Sequence, residues 1–178
     1  MTHYLGTNGR LAVLLPGRTY TPDHPLLYYA RAVLLHQGWS VEEVWWNQED
    51  LVSDAALLAR IEEVLDKASD KTPLVVAKSL GSLALPSVVK RGWSGIWLTP
   101  LLNRVEIVAA VKDIRAKSLL VGGMDDESWN GDVAKSIGQQ VLEISGADHG
   151  LEIPGDPSAS VRVLGEIVAT IGTFAANL

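Results

Sequence analysis

The sequence contains no cysteine. That excludes disulfides, thiolate metal sites, iron–sulfur clusters and cysteine nucleophiles, and it fits a reducing compartment. Positive charge is not in excess: 15 Lys and Arg stand against 21 Asp and Glu, a net charge of −6. No basic stripe is available to neutralise phosphates, which argues against a nucleic-acid partner. No apolar run reaches the roughly 18 residues that span a bilayer, so no membrane partner is expected. The first ten residues lack the basic region and apolar stretch of a signal peptide. An N-terminal Gly after Met and a C-terminal Cys box, the marks of lipidation, are also missing. A cytoplasmic protein is the expectation. No G-x-G-x-x-G follows the first apolar run and no Walker A motif occurs, so nucleotide binding has no support. Zinc-type H-E-x-x-H spacing is absent. The stretch from Asp126 to Gly131 looks faintly like a calcium loop, but Ile137 stands where the loop's last Glu belongs. Neither a metal nor an organic cofactor is expected.

What is present is an ordinary globular composition. The 178 residues suit one domain over 1–178. A chain of that length buries roughly 70% of its unfolded surface and needs no staple. Apolar residues make up 47% and charged residues 20%, which separates the chain from disordered sequences. There is no Pro/Ser-rich linker, internal repeat or low-complexity tract.

Short apolar runs alternate with helical patterns. Six runs read as strands: 11–15, 41–46, 74–77, 95–98, 118–121 and 140–144. Runs such as L-A-V-L-L at 11–15 do not alternate, as expected of strands covered on both faces. Helical patterns fill 25–37 behind Asp23 as cap, 50–68, 79–91, 103–115 and 158–176. Asn103 and Glu106 have capping-box spacing, and the last helix follows a P-G-D-P loop at 154–157. Such alternation predicts a parallel sheet with helices on both faces. The adjacent pair Trp45–Trp46 falls on an expected edge strand, a feature also found at interfaces. Ligands of such sheets bind at the carboxyl ends of the strands, and three of these ends carry reactive groups.

The run 74–77 passes directly into Ala77-Lys78-Ser79-Leu80-Gly81. This is the G-x-S-x-G nucleophile elbow with Ala for the first Gly. A serine on a sharp strand-to-helix turn needs small residues two positions away on either side, where bulk would collide. A serine there can also be no more than a helix cap. The run 118–121 passes into Gly122-Gly123-Met124-Asp125-Asp126, and 140–144 leads to Asp148-His149-Gly150. The chain order Ser79, Asp125 or Asp126, His149 is that of nucleophile, acid and base in hydrolases built on such sheets. Asp125, three residues after Gly122, matches the usual turn length and is the preferred acid; Asp126 is the alternative. Ser79 would attack an acyl carbon, His149 would carry its proton, and Asp125 would hold the ring. Tyr20, His24 and Trp129 are candidate pocket walls, with Tyr28 a more ordinary packing residue. Lys78 either pairs with a carboxylate beneath the elbow or lies near the entrance.

Over nearly its whole length the sequence resembles the small, lidless α/β-hydrolases, in particular bacterial hydrolases with a K-S-x-G-S elbow related to the dienelactone-hydrolase-like group. The resemblance rests on L-L-P-G-R at 14–18, P-L-L-Y-Y-A-R-A-V-L-L-H-Q-G-W at 25–39, A-K-S-L-G-S at 77–82, G-G-M-D-D at 122–126 and G-A-D-H-G-L at 146–151. It implies a three-layer α/β fold with a mainly parallel six-stranded sheet. The six strands would match strands three to eight of the common eight-stranded sheet, since residues 2–10 are too few for two more. It implies an esterase, thioesterase or related acyl hydrolase acting on a small-molecule substrate without metal or cofactor. It also implies an oxyanion donor in the loop after the first strand, placed by position at the Arg18 N–H, with the Leu80 N–H as the other. Many relatives have His-Gly where this chain has Pro16-Gly17, but the donor is a backbone group. The Arg18 side chain either reads a substrate carboxylate or extends into solvent. Only Thr99-Pro100-Leu101-Leu102 stands where a cap is usually inserted. The expected site is therefore open and shallow, unlike that of a lipase with a buried acyl tunnel. A non-catalytic binding module on the same fold is the alternative, and the oligomeric state is open.

Overall fold

The computed structural model describes every residue, Met1–Leu178. Its elements in chain order are β1 (Thr2–Tyr4), β2 (Leu11–Leu15), α1 (Pro25–His36), β3 (Ser40–Glu43), α2 (Asp54–Lys67), β4 (Leu74–Lys78), a 3₁₀ turn (Ser79–Ala84), α3 (Leu85–Arg91), β5 (Gly95–Leu98), α4 (Val105–Lys112), β6 (Ser118–Gly123), α5 (Gly131–Lys135), β7 (Gln140–Ile144) and α6 (Pro157–Ala176). The sheet has the order β1-β3-β2-β4-β5-β6-β7. Every pairing is parallel except that of β1 with β3.

The alternation of side chains along each strand builds two cores. On β2, Leu11, Val13 and Leu15 join one cluster, and Ala12 and Leu14 join the other. The first cluster is covered by α2 to α5, through residues such as Ile61, Val88, Ile107 and Ala134. The second is covered by α1 and α6, through Leu27, Leu34, Ile167 and Phe174. Burial on both faces is why the central strands are continuously apolar. Helix α6 is long and apolar enough by composition to cross a bilayer. Its buried stripe Ile167, Ile171, Phe174 and Ala175 packs within the second core instead.

Several expected elements are corrected. The sheet has seven strands rather than six, because β1 adds an antiparallel edge. Three residues of mixed polarity, T-H-Y, give no strand signal on their own. The run 41–46 ends as a strand at Glu43. Trp45 and Trp46 therefore lie beyond it, and β3 is flanked by β1 and β2 rather than exposed as an edge. The charges inside that run are accounted for: Glu43 is buried and paired with Arg31 of α1, and Glu42 approaches His3 of β1. The helix expected over 79–91 is split into a 3₁₀ turn and α3, with Pro86 in the first turn of α3. Proline has no N–H to continue a hydrogen-bond ladder. Helix α1 has His24 rather than Asp23 at its cap position. Helix α2 starts at Asp54, with Ser53 accepting from the Ala56 N–H. Helix α4 has no capping box; Glu106 accepts from Arg104 Nε at 2.7 Å instead.

Candidate active site

Ser79 lies where β4 meets the 3₁₀ turn, with φ at +50°. A non-glycine residue in the left-handed region costs roughly 1–3 kcal/mol and persists only where its surroundings impose it. Here the packing imposes it. A Cβ on Gly81 would run into the Leu15 carbonyl, and a Cβ on Gly17 would stand 3.5 Å from Ser79 Cβ. The elbow is therefore pressed against the end of β2 and the loop that follows.

Ser79 Oγ lies 2.7 Å from His149 Nε2. His149 Nδ1 lies 2.7 Å from Asp126 Oδ2. The other carboxylate oxygen, Oδ1, accepts from the Ser128 N–H at 2.8 Å. Burial by itself would raise the Asp126 carboxyl. The hydrogen bonds from His149 and Ser128, and the charges of His149 and Lys78, outweigh it and hold the group below its ordinary value. An ionised Asp126 accepts the proton on Nδ1, which leaves Nε2 free to accept the Ser79 hydroxyl proton.

The acid in contact with the ring is thus Asp126 and not Asp125. Strand β6 extends through Gly123, two residues past the expected end, with Gly122 and Gly123 paired to Glu143 and Ile144. The turn then closes with the Asp126 N–H on the Gly123 carbonyl. This carries Asp126 inward, its side chain 2% exposed, and leaves Asp125 on the surface. The Asp125 N–H donates to the Ala147 carbonyl and ties the acid loop to the histidine loop. Asp148 folds the latter loop: its Oδ1 accepts from the N–H groups of Gly150 and Glu152.

The loop after β2 stands over Ser79. The Gly17 N–H donates to the Tyr20 carbonyl at 3.1 Å, while the Arg18 N–H has no acceptor within the chain. Leu80 follows Ser79 as the second residue of the 3₁₀ turn, where N–H groups lack an intrahelical partner. The loop is braced by Trp46, whose Nε1–H donates to the Pro16 carbonyl at 3.0 Å. The expectation of an edge strand or an interface for Trp45–Trp46 does not anticipate this brace. The exposed Arg18 side chain donates to the Leu51 carbonyl at 3.2 Å, which also braces the loop.

The candidate pocket residues separate. Tyr20 lines a recess of about 120 Å³ together with Leu26, Gly150, Leu151, Val161 and Leu164. Its hydroxyl accepts from the Leu26 N–H at 3.0 Å, and burial pushes its pKa up to about 12. His24 is exposed, stacks on Tyr20 and accepts from the Thr21 N–H, but does not line the recess. Trp129 packs with the first core, across the sheet from Tyr20, with its ring against Gly122 and its Nε1–H on Glu143. Its aromatic bulk fills space left by a glycine rather than walling a pocket. Lys78 adopts neither expected position, since its ammonium is buried and bonds to neutral oxygens.

No family model and no curated protein sequence matches the chain. Solved structures do. Est1E from Butyrivibrio proteoclasticus is 14% identical, with 98% of this chain and 94% of that one covered and a TM-score of 0.71. XC6422 from Xanthomonas campestris, an α/β serine hydrolase without lid, is 13% identical over 98% and 87% of the two chains, with a TM-score of 0.66. A monoacylglycerol lipase from Paleococcus ferrophilus is 14% identical over 97% and 98%, with a TM-score of 0.66. At these identities the likeness defines the architecture, and the chain has the α/β-hydrolase fold. Between β5 and α4 lie only residues 99–104, so no cap domain covers the strand ends there.

Proposed function

We propose that the protein is a serine hydrolase that cleaves a small or medium carboxylic ester or thioester through an acyl-Ser79 intermediate. The observation that carries this reading is the hydrogen-bonded series Ser79–His149–Asp126, starting from a strained serine at a strand end. Ser79 Oγ attacks the acyl carbon as its proton passes to His149 Nε2. Asp126 stabilises the imidazolium and keeps the ring in place. The carbonyl oxygen becomes an oxyanion that accepts from the N–H groups of Leu80 and Arg18. His149 then protonates the departing alkoxide or thiolate. Water, deprotonated by the same nitrogen, attacks the acyl carbon, releases the acid and restores Ser79.

The recess beside Gly150 bears on substrate size. At about 120 Å³ it is slightly smaller than an engineered 150 Å³ apolar cavity that takes one benzene. Neither Ser79 nor His149 lines it, but it adjoins the His149 loop through Gly150 and Leu151; an acyl or alkyl group seated there would be enclosed up to about four carbons, and longer chains would project into solvent. The reading is tested with p-nitrophenyl acetate, butyrate and dodecanoate. The expected kcat/KM is highest for the short esters and vanishes in Ser79→Ala. Full hydrolysis by Ser79→Ala would rule the mechanism out, whereas ligand binding without turnover by the wild type would favour a binding role.

A further inference from the structure

Lys78, the residue before the serine, has its whole side chain inside the protein, 1% exposed. Its Nζ–H groups donate to Thr99 Oγ1 at 2.6 Å and to the backbone carbonyl of His149 at 2.8 Å. The ammonium also lies 5.1 Å from the centre of the Tyr20 ring, within cation–π range. Both hydrogen-bond acceptors are neutral. The charges that act on it, Asp126 and Asp148, do so through space. A buried ammonium without a bonded carboxylate is costly, and an apolar side chain of the same length would fill the volume without that cost. Burial accordingly pushes its pKa down to about 8.

The partners explain why the cost is borne. Thr99 follows β5, His149 belongs to the loop after β7, Tyr20 belongs to the loop after β2, and Lys78 ends β4. One ammonium therefore joins four strand ends, a task that suits a group with three diverging donors. Thr99 is itself held, with its N–H on the Val121 carbonyl at 2.7 Å. The His149 side chain is 42% exposed, so packing does not immobilise it. Its ring is restrained from one side by Asp126 and its backbone from below by Lys78.

We infer that Lys78 is a positioning residue: it pins the His149 backbone to the floor of the site and so sets where Nε2 stands against Ser79 Oγ. This rests on the hydrolase reading above. The test is Lys78→Met, which keeps length and volume but donates no hydrogen bond. Displacement of a reacting group by about 1 Å costs on the order of 10²-fold. The expected loss in kcat is of that size, with KM within about twofold of wild type, because substrate binding is untouched. The rate of fluorophosphonate labelling should fall in parallel. The denaturation midpoint near neutral pH should be equal or higher, since a buried charge is removed. The His149 Nδ1–H proton resonance should broaden relative to wild type.

An active wild type with an equally active Lys78→Met would overturn this inference alone. So would a variant of lower midpoint whose folded fraction labels at the wild-type rate, which is what mere structural support predicts. A wild type inactive on all esters and unlabelled would overturn the hydrolase reading and this inference with it. If Lys78→Met does not fold, the near-isosteric Thr99→Val decides: lowered kcat at unchanged KM supports the role, and unchanged kcat removes it.

Discussion

Replacing Asp126 by Asn separates the acid of the site from its neighbour Asp125. In the native arrangement Oδ1 accepts from the Ser128 N–H and Oδ2 from His149 Nδ1. An amide in that position must turn its oxygen to the Ser128 N–H, which leaves its NH₂ facing Nδ1. The ring then moves its proton to Nε2 and can no longer accept from Ser79. Loss of the equivalent carboxylate by the same substitution in serine proteases lowers kcat about 10⁴-fold, or about 5 kcal/mol of barrier at 1.36 kcal/mol per tenfold. The flipped amide would restore the tautomer, but it strands the Ser128 N–H against another donor in a site where Asp126 is 2% exposed. That costs about 1–3 kcal/mol, a factor of roughly 5 to 160, so the expected loss lies between about tenfold, where the flipped amide serves, and about 10⁴-fold, where it does not. The assay is kcat on p-nitrophenyl butyrate near neutral pH, with melting curves to establish folding. Asp125→Asn alters an exposed side chain with no side-chain hydrogen bond and should stay within about twofold of wild type. If Asp125→Asn were the damaging change, or Asp126→Asn retained full activity, the account of the acid would be wrong.

Other outcomes follow from the same geometry. Gly81→Ala drives a methyl into the Leu15 carbonyl; overpacking of this kind costs about 1–3 kcal/mol, to be read as a lower urea midpoint with weaker probe labelling. Trp46→Phe removes the donor to the Pro16 carbonyl at about 1 kcal/mol, and kcat/KM should drop several-fold as the loop bearing the Arg18 N–H loosens; an unchanged value would show that this brace is idle. Lys78 titrates at about 8 in the fold and at its ordinary value, 10.5, when unfolded. Between those values the unfolded chain binds more protons, so stability rises with pH from about 8 to 10.5, by up to about 3 kcal/mol. The rise should be missing in Lys78→Met; a wild-type curve that stays flat over this range would contradict the buried ammonium. Asp126 acts in the opposite sense: held below its ordinary value, it contributes stability above about pH 4 that is lost as pH falls through its folded value. Asp126→Asn should therefore flatten the acid limb of the stability curve, and an unaltered limb would refute the pairing.

The parts of the molecule legible in the sequence are those governed by local pattern. The two-faced burial of 11–15 and 74–77 shows as unbroken apolar runs. The elbow shows because close approach to Leu15 demands glycine at 81. What escaped depends on tertiary pairing. Strand β1 exists only because β3 offers it an edge. Pairing of Gly122 and Gly123 with β7 lengthens β6 and shifts the inward carboxylate from 125 to 126, which no local preference of G-G-M-D-D reports. Trp46 and Lys78 stand out in the sequence but their roles do not, because those lie in contacts to Pro16 and to Thr99 and His149, 30, 21 and 71 residues away in sequence. Trp129 misled because an aromatic beside an acidic loop fits a pocket wall as well as a plug over Gly122.

Whether Ser79 is an activated nucleophile is read out by a fluorophosphonate probe with mass spectrometry of the tagged peptide. The expected result is one adduct, on Ser79, absent in Ser79→Ala and lost or greatly slowed in His149→Ala. Folded wild-type protein that takes no label, or takes it at another residue, would contradict it.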